Sequence, residues 1–337
     1  MIQELAIKNF RGIESVEFSD LGRVNLIIGG NNTGKTSVLE ALMLLAGDQK
    51  QLQSLPTLFR EVDSNDEWSA FWPYIARNGS LESIEISYNS QATITIGSHV
   101  KAGIYRTKLE NLGDENDARF LGNLPREDLI VDLSNRRINE AVSPWNLRVL
   151  STAQPTPKTT SELFNAAIPA NPENEVKLEA LLKASIEPRL KRMRYLKPSG
   201  FNNHIVMVDL GSGTMIPFTQ MGQAFARALH IYCEIFAHNP DILIIDEIEN
   251  GLYHAGLGDF WKGLIRILES EEVQLFATTH SRECMEAAHQ ANRTLEEPSS
   301  LRYLRLDRTL KEPETIVGTV FDSDTMATAI EHGEEMR

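Results

Sequence analysis

The chain has 337 residues, 42% of them hydrophobic, and a formal charge of -14 at pH 7. That length allows one large α/β domain with insertions or two domains, and the acidic balance argues against a surface that wraps nucleic acid as a whole, though a local basic patch remains compatible with it. The two cysteines, Cys233 and Cys284, lie far apart without metal-ligand spacing, no apolar run approaches the ~20 residues of a membrane span, and Met1-Ile2-Gln3-Glu4 opens no secretory signal, so reduced thiols in a cytoplasmic protein away from membranes are expected.

Residues 5–18 read as two short strands joined by a turn, and Val24-Asn25-Leu26-Ile27-Ile28 as a buried strand. Directly after it comes Gly29-Gly30-Asn31-Asn32-Thr33-Gly34-Lys35-Thr36, with Ser37 following and a helix over residues 35–45 rich in Ala, Leu and Met. The pattern G-x-x-x-x-G-K-[ST] between a strand and a helix lets backbone N–H groups converge on anionic oxygens, and the helix N-terminus adds partial positive charge at the same point. A nucleoside triphosphate is the expected occupant. Lys35 then reaches its β- and γ-phosphates, and Thr36 offers its hydroxyl to Mg²⁺. A plain glycine turn before a helix is the competing account.

Further along, Trp68, Phe71, Trp72 and Tyr74 cluster within residues 63–77 and suit a lid or subdomain contact better than a base-stacking platform. Residues 83–88 and 91–96 alternate Ile with polar residues, an antiparallel pair expected to cover the nucleotide side. Residues 111–123 are polar and acidic, as in a loop, and residues 146–150 form another strand, leading to Gln154. Residues 161–196 alternate helical pieces with Pro169, Pro172 and Pro188, which suits a helical lobe. The run Arg189, Lys191, Arg192, Arg194 and Lys197 is the most basic of the chain and could touch nucleic-acid phosphates, a solvated face being the alternative. A hairpin is expected from residues 205–208 and 215–218, and then Thr219-Gln220-Met221-Gly222-Gln223-Ala224 leads into a helix to about residue 237. Phe225, Leu229, Tyr232, Ile235 and Phe236 mark its core face.

Ile242-Leu243-Ile244-Ile245-Asp246-Glu247 is a run of four aliphatics ending in two acids. It reads as a fully buried parallel strand whose acids emerge at the carboxyl end, where open α/β sheets place their ligands. In phosphoryl transfer Asp246 would hold Mg²⁺ through water and Glu247 would orient or deprotonate the attacking water. A third buried strand, residues 273–278, ends in Thr279-His280-Ser281, and His280 can donate a hydrogen bond to the γ-phosphate. Strands at residues 301–306 and 315–321 and a short helix complete the chain. Asp322-Ser323-Asp324 has the look of a D-x-D metal pair but lacks room for a typical nuclease domain of ~100 residues around it.

The Ile7-Lys8-Asn9-Phe10-Arg11 strand and the loop-helix from Gly29 to Ala41 resemble the heads of RecF, SMC and Rad50-like ABC-type ATPases and of the OLD family. The resemblance implies an α/β fold with a mixed central sheet, an antiparallel β subdomain and a helical lobe. Three parts follow: residues 1–150 and 205–337 as the two ATPase lobes and 151–204 as the helical insertion, too short for coiled-coil arms. It also implies Arg11 near the base or ribose, Gln154 as a ligand of Mg²⁺ that senses the γ-phosphate, and a signature segment that touches the γ-phosphate bound by another copy. Gly222, Gln223 and Arg227 match that segment's Met-Gly-x-x-x-x-Arg core, with Gly222-Gln223-Ala224 where relatives show Gly-Asp-Gly. Expected on this basis is an Mg²⁺-dependent ATPase acting as a switch, a dimer at minimum. The resemblance to stand-alone OLD-group ATPases implies a role in prokaryotic anti-phage defence of the PARIS or Septu type, beside a separately encoded effector such as a TOPRIM or other nuclease. A RecF-like DNA-binding ATPase of repair or recombination is the alternative.

Overall fold

The computed structural model describes residues 1–47, 49–58, 84–89, 92–97, 103–107, 129–132, 137–138, 145–152, 155–171, 173–296, 298–309 and 315–331. In chain order, β1 (Leu5–Phe10), β2 (Ile13–Phe18) and β3 (Val24–Gly29) precede α1 (Lys35–Ala46) and α2 (Gln49–Leu58). Then come β4 (Ile84–Tyr88), β5 (Ala92–Gly97), β6 (Gly103–Thr107), β7 (Leu129–Asp132), β8 (Arg137–Ile138) and β9 (Leu147–Leu150). Helices α3 (Pro157–Ala170) and α4 (Glu173–Ser185) lead to β10 (Arg192–Leu196), β11 (Ile205–Asp209) and β12 (Met215–Pro217). The last part runs α5 (Gln223–His238), β13 (Ile242–Ile245), α6 (Leu257–Ser270), β14 (Gln274–Thr278), α7 (Arg282–Arg293), β15 (Leu301–Arg308), β16 (Ile316–Asp322) and α8 (Ser323–Glu331).

The central sheet has the order β16-β15-β3-β14-β13-β9. All its pairings are parallel except β15 with β16, so it is mixed. Every residue of β3, β13 and β14 is buried, the pattern of strands covered on both faces. Their side chains divide between two cores. Leu26, Ile28, Leu243, Ile245, Leu275 and Ala277 point toward the helices α3 to α7, whereas Ile27, Ile242, Ile244 and Phe276 point toward α1 and the antiparallel strands β1, β2 and β4. Helix α1 is buried almost all round, as a helix lodged between two layers must be.

A second sheet, antiparallel throughout, runs β2-β1-β4-β5-β6-β7-β8. The expected pair at residues 83–96 is present as β4 and β5, joined to β1. The aromatic cluster of residues 63–77 and the loop at 111–123 lie outside the described residues, as does Gln154. The expected stretch of helical pieces is corrected at its end. Arg192–Leu196 is a strand that pairs with β11, which itself pairs with β12. Met193 is buried between exposed Arg192 and Arg194, a period of two that helix formation would destroy. Both cysteines are free and buried, and no described helix is long and apolar enough to cross a membrane.

The N-terminal segment is fastened to the central sheet by one buried amide. Gln274 Oε1 accepts from the Ile2 N–H at 2.8 Å, and its Nε2 donates to the Ile2 carbonyl at 2.7 Å and the Gly22 carbonyl at 2.8 Å. Replacing it by Leu strands those backbone groups away from water, each at a cost of ~1–3 kcal/mol. Gln274→Leu is expected to lower unfolding free energy by about 3 kcal/mol in a denaturant titration. A change under about 0.5 kcal/mol, the range of an ordinary surface substitution, would deny this contact its role.

Candidate nucleotide site

The loops after β3, β13 and β14 leave the sheet at the carboxyl ends of neighbouring parallel strands, with Thr278 paired to Ile27 and Ile245 paired to Ala277. The phosphate-loop motif, the acid pair and His280 therefore meet at one edge. Two glycines shape the loop. Gly29 has φ +139°, and a Cβ there would stand 2.3 Å from the Leu306 carbonyl oxygen; Gly34 has φ +91° and ends the loop as the N-cap of α1. Asn32 also adopts the left-handed region, at φ +60°. Thr33 Oγ1 donates to the Gly30 carbonyl at 2.9 Å, and Arg308 Nη2 donates to the Asn32 carbonyl at 2.8 Å, bracing the loop from β15.

Lys35 is buried, and its Nζ donates to the Gly29 carbonyl at 2.8 Å and the Gly30 carbonyl at 2.6 Å. Burial lowers its pKa, and the charges of Asp246, Glu247 and Glu249 oppose that shift. Ser37 and Thr33 are buried, Thr36 and Gly34 are half-buried, and Asn31 and Asn32 are exposed.

Across the site, Thr278 joins both acids. Its hydroxyl donates to Asp246 Oδ1 at 2.5 Å and accepts from the Glu247 N–H at 2.8 Å. Burial raises the Asp246 pKa, while the Thr278 bond and then the charges of His280 and Lys35 pull it back. Glu247 has φ +48°, a left-handed backbone that non-glycine residues adopt at a cost and that turns its side chain out of the strand direction. His280 is exposed at the mouth, and its backbone N–H donates to Glu249 Oε1 at 2.9 Å.

The N-terminus of α5 is open. Gly222 caps it at φ +90° with no side-chain hydrogen bond, the first turn has no acid, and both Gly222 and Gln223 are exposed. Arg11 Nε donates to buried Glu40 Oε2 of α1 at 3.1 Å, so its guanidinium is tied to the helix that follows the phosphate loop. The sequence did not single out Thr278 or Arg308 as site groups; their parts come from strand adjacency, for which a single chain gives no signal. The basic run is largely spent within the chain. Arg189 pairs with Glu187 at 2.9 Å, Arg192 with Asp209 at 3.2 Å and Arg194 with Glu175. Asp322 Oδ1 accepts from the Thr325 N–H at 2.7 Å, which makes Asp322 a cap of α8.

The donors suit a triphosphate: a glycine-shaped loop, the acid-free first turn of α1 and a buried ammonium face one point. Thr36 and Asp246 offer oxygen ligands only, the donor type of a hard divalent cation such as Mg²⁺.

A family model described as "AAA domain, putative AbiEii toxin, Type IV TA system" matches residues 24–286. The chain belongs to this AAA-domain family. A protein of Helicobacter pylori named "ATP/GTP phosphatase" is 20% identical over 340 residues, covering 87% of this chain and 89% of the relative. The RecF protein of Bacillus thuringiensis is 47% identical over 45 residues, which is 13% of this chain and 12% of that protein. Among solved structures, an SMC head bound to the C-winged helix domain of ScpA superposes with TM-score 0.57 at 10% identity over 97% of this chain and 99% of the other. The family makes this a P-loop ATPase of the AAA-domain kind, and the fold is that of an SMC head, as the sequence motifs lead one to expect.

Thr278→Val removes a bond to the ionised form of Asp246 and the acceptor for the Glu247 amide. The lost bond had held the Asp246 pKa down, so the acid limb of the ATPase pH profile is expected to move to higher pH, with kcat lower by about tenfold. An unmoved acid limb in steady-state phosphate release would show that the hydroxyl does not tune this carboxylate.

Proposed function

We propose that this ATPase is a switch: two copies close on two ATP molecules, phosphate loop of one against α5 of the other, and hydrolysis reopens them. The observation that carries this reading is the convergence of Lys35, Asp246, Glu247 and His280 at one sheet edge, combined with the open, acid-free start of α5 at Gly222 and Gln223. A phosphate seated on one copy's loop reaches helix N–H donors of a second copy only when both are closed, which gives the γ-phosphate a differential affinity for the closed state.

Within a site, the N–H groups of Gly29 to Thr36, with Ser37, hold the phosphates, and the Lys35 ammonium leaves its own loop carbonyls for the β- and γ-oxygens. The Thr36 hydroxyl and, through water, Asp246 would hold Mg²⁺, with Gln154 as a further ligand, and the ion would supply countercharge to the phosphates. Glu247 accepts the proton of the attacking water as its oxygen bonds to the γ-phosphorus and the bond to the β-phosphate oxygen breaks, giving ADP and phosphate. His280 donates to a γ-oxygen, and Arg11 lies toward the base or ribose. Electrostatic placing of these groups, rather than covalent chemistry, provides the rate.

We assign the chain to the stand-alone, OLD-like group of such ATPases, working beside a separately encoded effector in prokaryotic anti-phage defence. The family description supports this, since it names a putative toxin of a toxin–antitoxin system, a two-component setting. The RecF-like alternative would use the basic run, whose three arginines are already paired with carboxylates.

Glu247→Gln keeps the shape of the site but cannot take the proton. Phosphate release is expected to fall about 10²–10⁴-fold while ATP binding is kept, and the variant should accumulate as an ATP-dependent dimer in light scattering. Turnover at the wild-type rate would remove Glu247 from its role, and a monomer at saturating ATP would sink the switch.

A further inference from the structure

The hairpin of β15 and β16 touches the phosphate loop at three points. β15 runs beside β3 as far as Leu306, which pairs with Gly29, and a Cβ on Gly29 would stand 2.3 Å from the Leu306 carbonyl oxygen. Two residues on, exposed Arg308 donates from Nη2 to the Asn32 carbonyl at 2.8 Å. The cross-strand partner of Arg308 is Ile316, which is buried, and a Cβ on Gly34 would meet Ile316 Cδ1 at 3.4 Å. Opposed residues of an antiparallel pair project from the same face of the sheet, so one rung of the hairpin meets the loop at the residues before and after Thr33. The Arg308 bond also sets a direction. The Asn32–Thr33 peptide is trans, and in a planar trans peptide the carbonyl and the N–H that follows it point opposite ways. Fixing the Asn32 carbonyl toward Arg308 therefore fixes the Thr33 N–H away from it. Asn32 holds φ +60°, a left-handed backbone that a side chain adopts at a cost, so the bond has a relaxation to oppose. From within the motif, Thr33 Oγ1 and Lys35 Nζ bind the Gly30 carbonyl, and Lys35 binds that of Gly29 as well. Lys35 gives up its two bonds when it turns to the phosphates, whereas Arg308 can keep its own.

We propose that Arg308 is a positioning residue for nucleotide binding: from the end of β15 it holds the Asn32–Thr33 peptide with the Thr33 N–H turned toward the bound phosphates, and it makes no phosphate contact of its own. The backbone N–H groups of such a loop cradle the α- and β-phosphates, so the brace serves ATP and ADP alike. The proposal rests on the nucleotide reading of this loop and adds to it a group from the other end of the chain.

The test titrates the full-length wild type, Arg308→Met and Arg308→Lys with ADP and with the β,γ-imido analogue of ATP, each with Mg²⁺, at protein concentrations where light scattering shows a monomer. Arg308→Met is expected to weaken both ligands by about tenfold, the effect of losing one hydrogen bond from a charged donor, with the two factors equal within about twofold. Arg308→Lys keeps the charge and a donor and should recover most of that loss. In steady-state hydrolysis by Arg308→Met, KM for ATP should rise with the dissociation constants while kcat falls by less than about threefold, a split that a general loss of fold would not give. Should Arg308→Met not fold, Arg308→Gln takes its place and is judged on the same two affinities. Weakening of the ATP analogue with ADP bound as before would put the guanidinium on the γ-phosphate itself and overturn the brace. A wild type that binds neither ligand overturns the nucleotide reading and the brace together, whereas one that binds both, beside an Arg308→Met with unchanged affinities, overturns the brace alone.

Discussion

The parallel pairing of β3, β14 and β13 is the constraint on which the site depends. In a strand, side chains alternate, so a slip of one residue would send Ile27, Phe276 and Ile244 from the core under α1 into the core under α5 and α6. Both faces are packed, so neither tolerates the exchange, and the register holds with Thr278 opposite Ile27 and Ala277 opposite Ile245. The residues that follow each strand are delivered to one edge as a result. Lys35, Asp246 and His280 come from distant parts of the chain, and buried aliphatic side chains that touch no substrate set their spacing.

Much of this was legible because the physical demands leave marks in single residues. A fully buried parallel strand shows as an unbroken aliphatic run, and a left-handed loop position shows as glycine, which is why β3, β13 and the loop from Gly29 to Lys35 could be read directly. Pair interactions left no such mark. Arg192–Leu196 reads as a charged helical stretch until its neighbour β11 is known, since the partners of its cations, Glu175 and Asp209, sit on other elements. Thr278 looks like any β-branched strand residue; only the adjacency of β14 and β13 sets its hydroxyl between Asp246 and the Glu247 amide. Arg11 stands in a turn that suits a surface cation, yet its guanidinium lies against the buried carboxylate of Glu40.

Asp322-Ser323-Asp324 carries the same lesson from the other side. Two acids spaced by one residue fit a metal pair equally well as a helix start, and the hydrogen bond from Thr325 to Asp322 shows that the start of α8 takes the first of them. Motifs made of common residues acquire meaning from the element they fall on. The acid pair after β13 gained its meaning in the same way, from a strand separated from the phosphate-loop strand only by β14.

A chain of net charge -14 that takes a polyanion needs an account of local charge. Surface charges farther than a Debye length, about 8 Å at physiological salt, are largely screened, so most of the acidic surface acts weakly on the site. Inside it, the charges of Asp246, Glu247 and Glu249 act on buried Lys35 and Arg227 in a poorly screened setting where each counts for more. The N-termini of α1 and α5 add their partial positive charge with no acid in either first turn to cancel it. Carboxylates still outnumber the buried cations there, and the phosphates would add to the imbalance. A divalent countercharge arriving with the nucleotide would offset this imbalance, and it would tie phosphate binding to the ionisation of Asp246 and thereby to the Thr278 hydroxyl that holds that carboxylate.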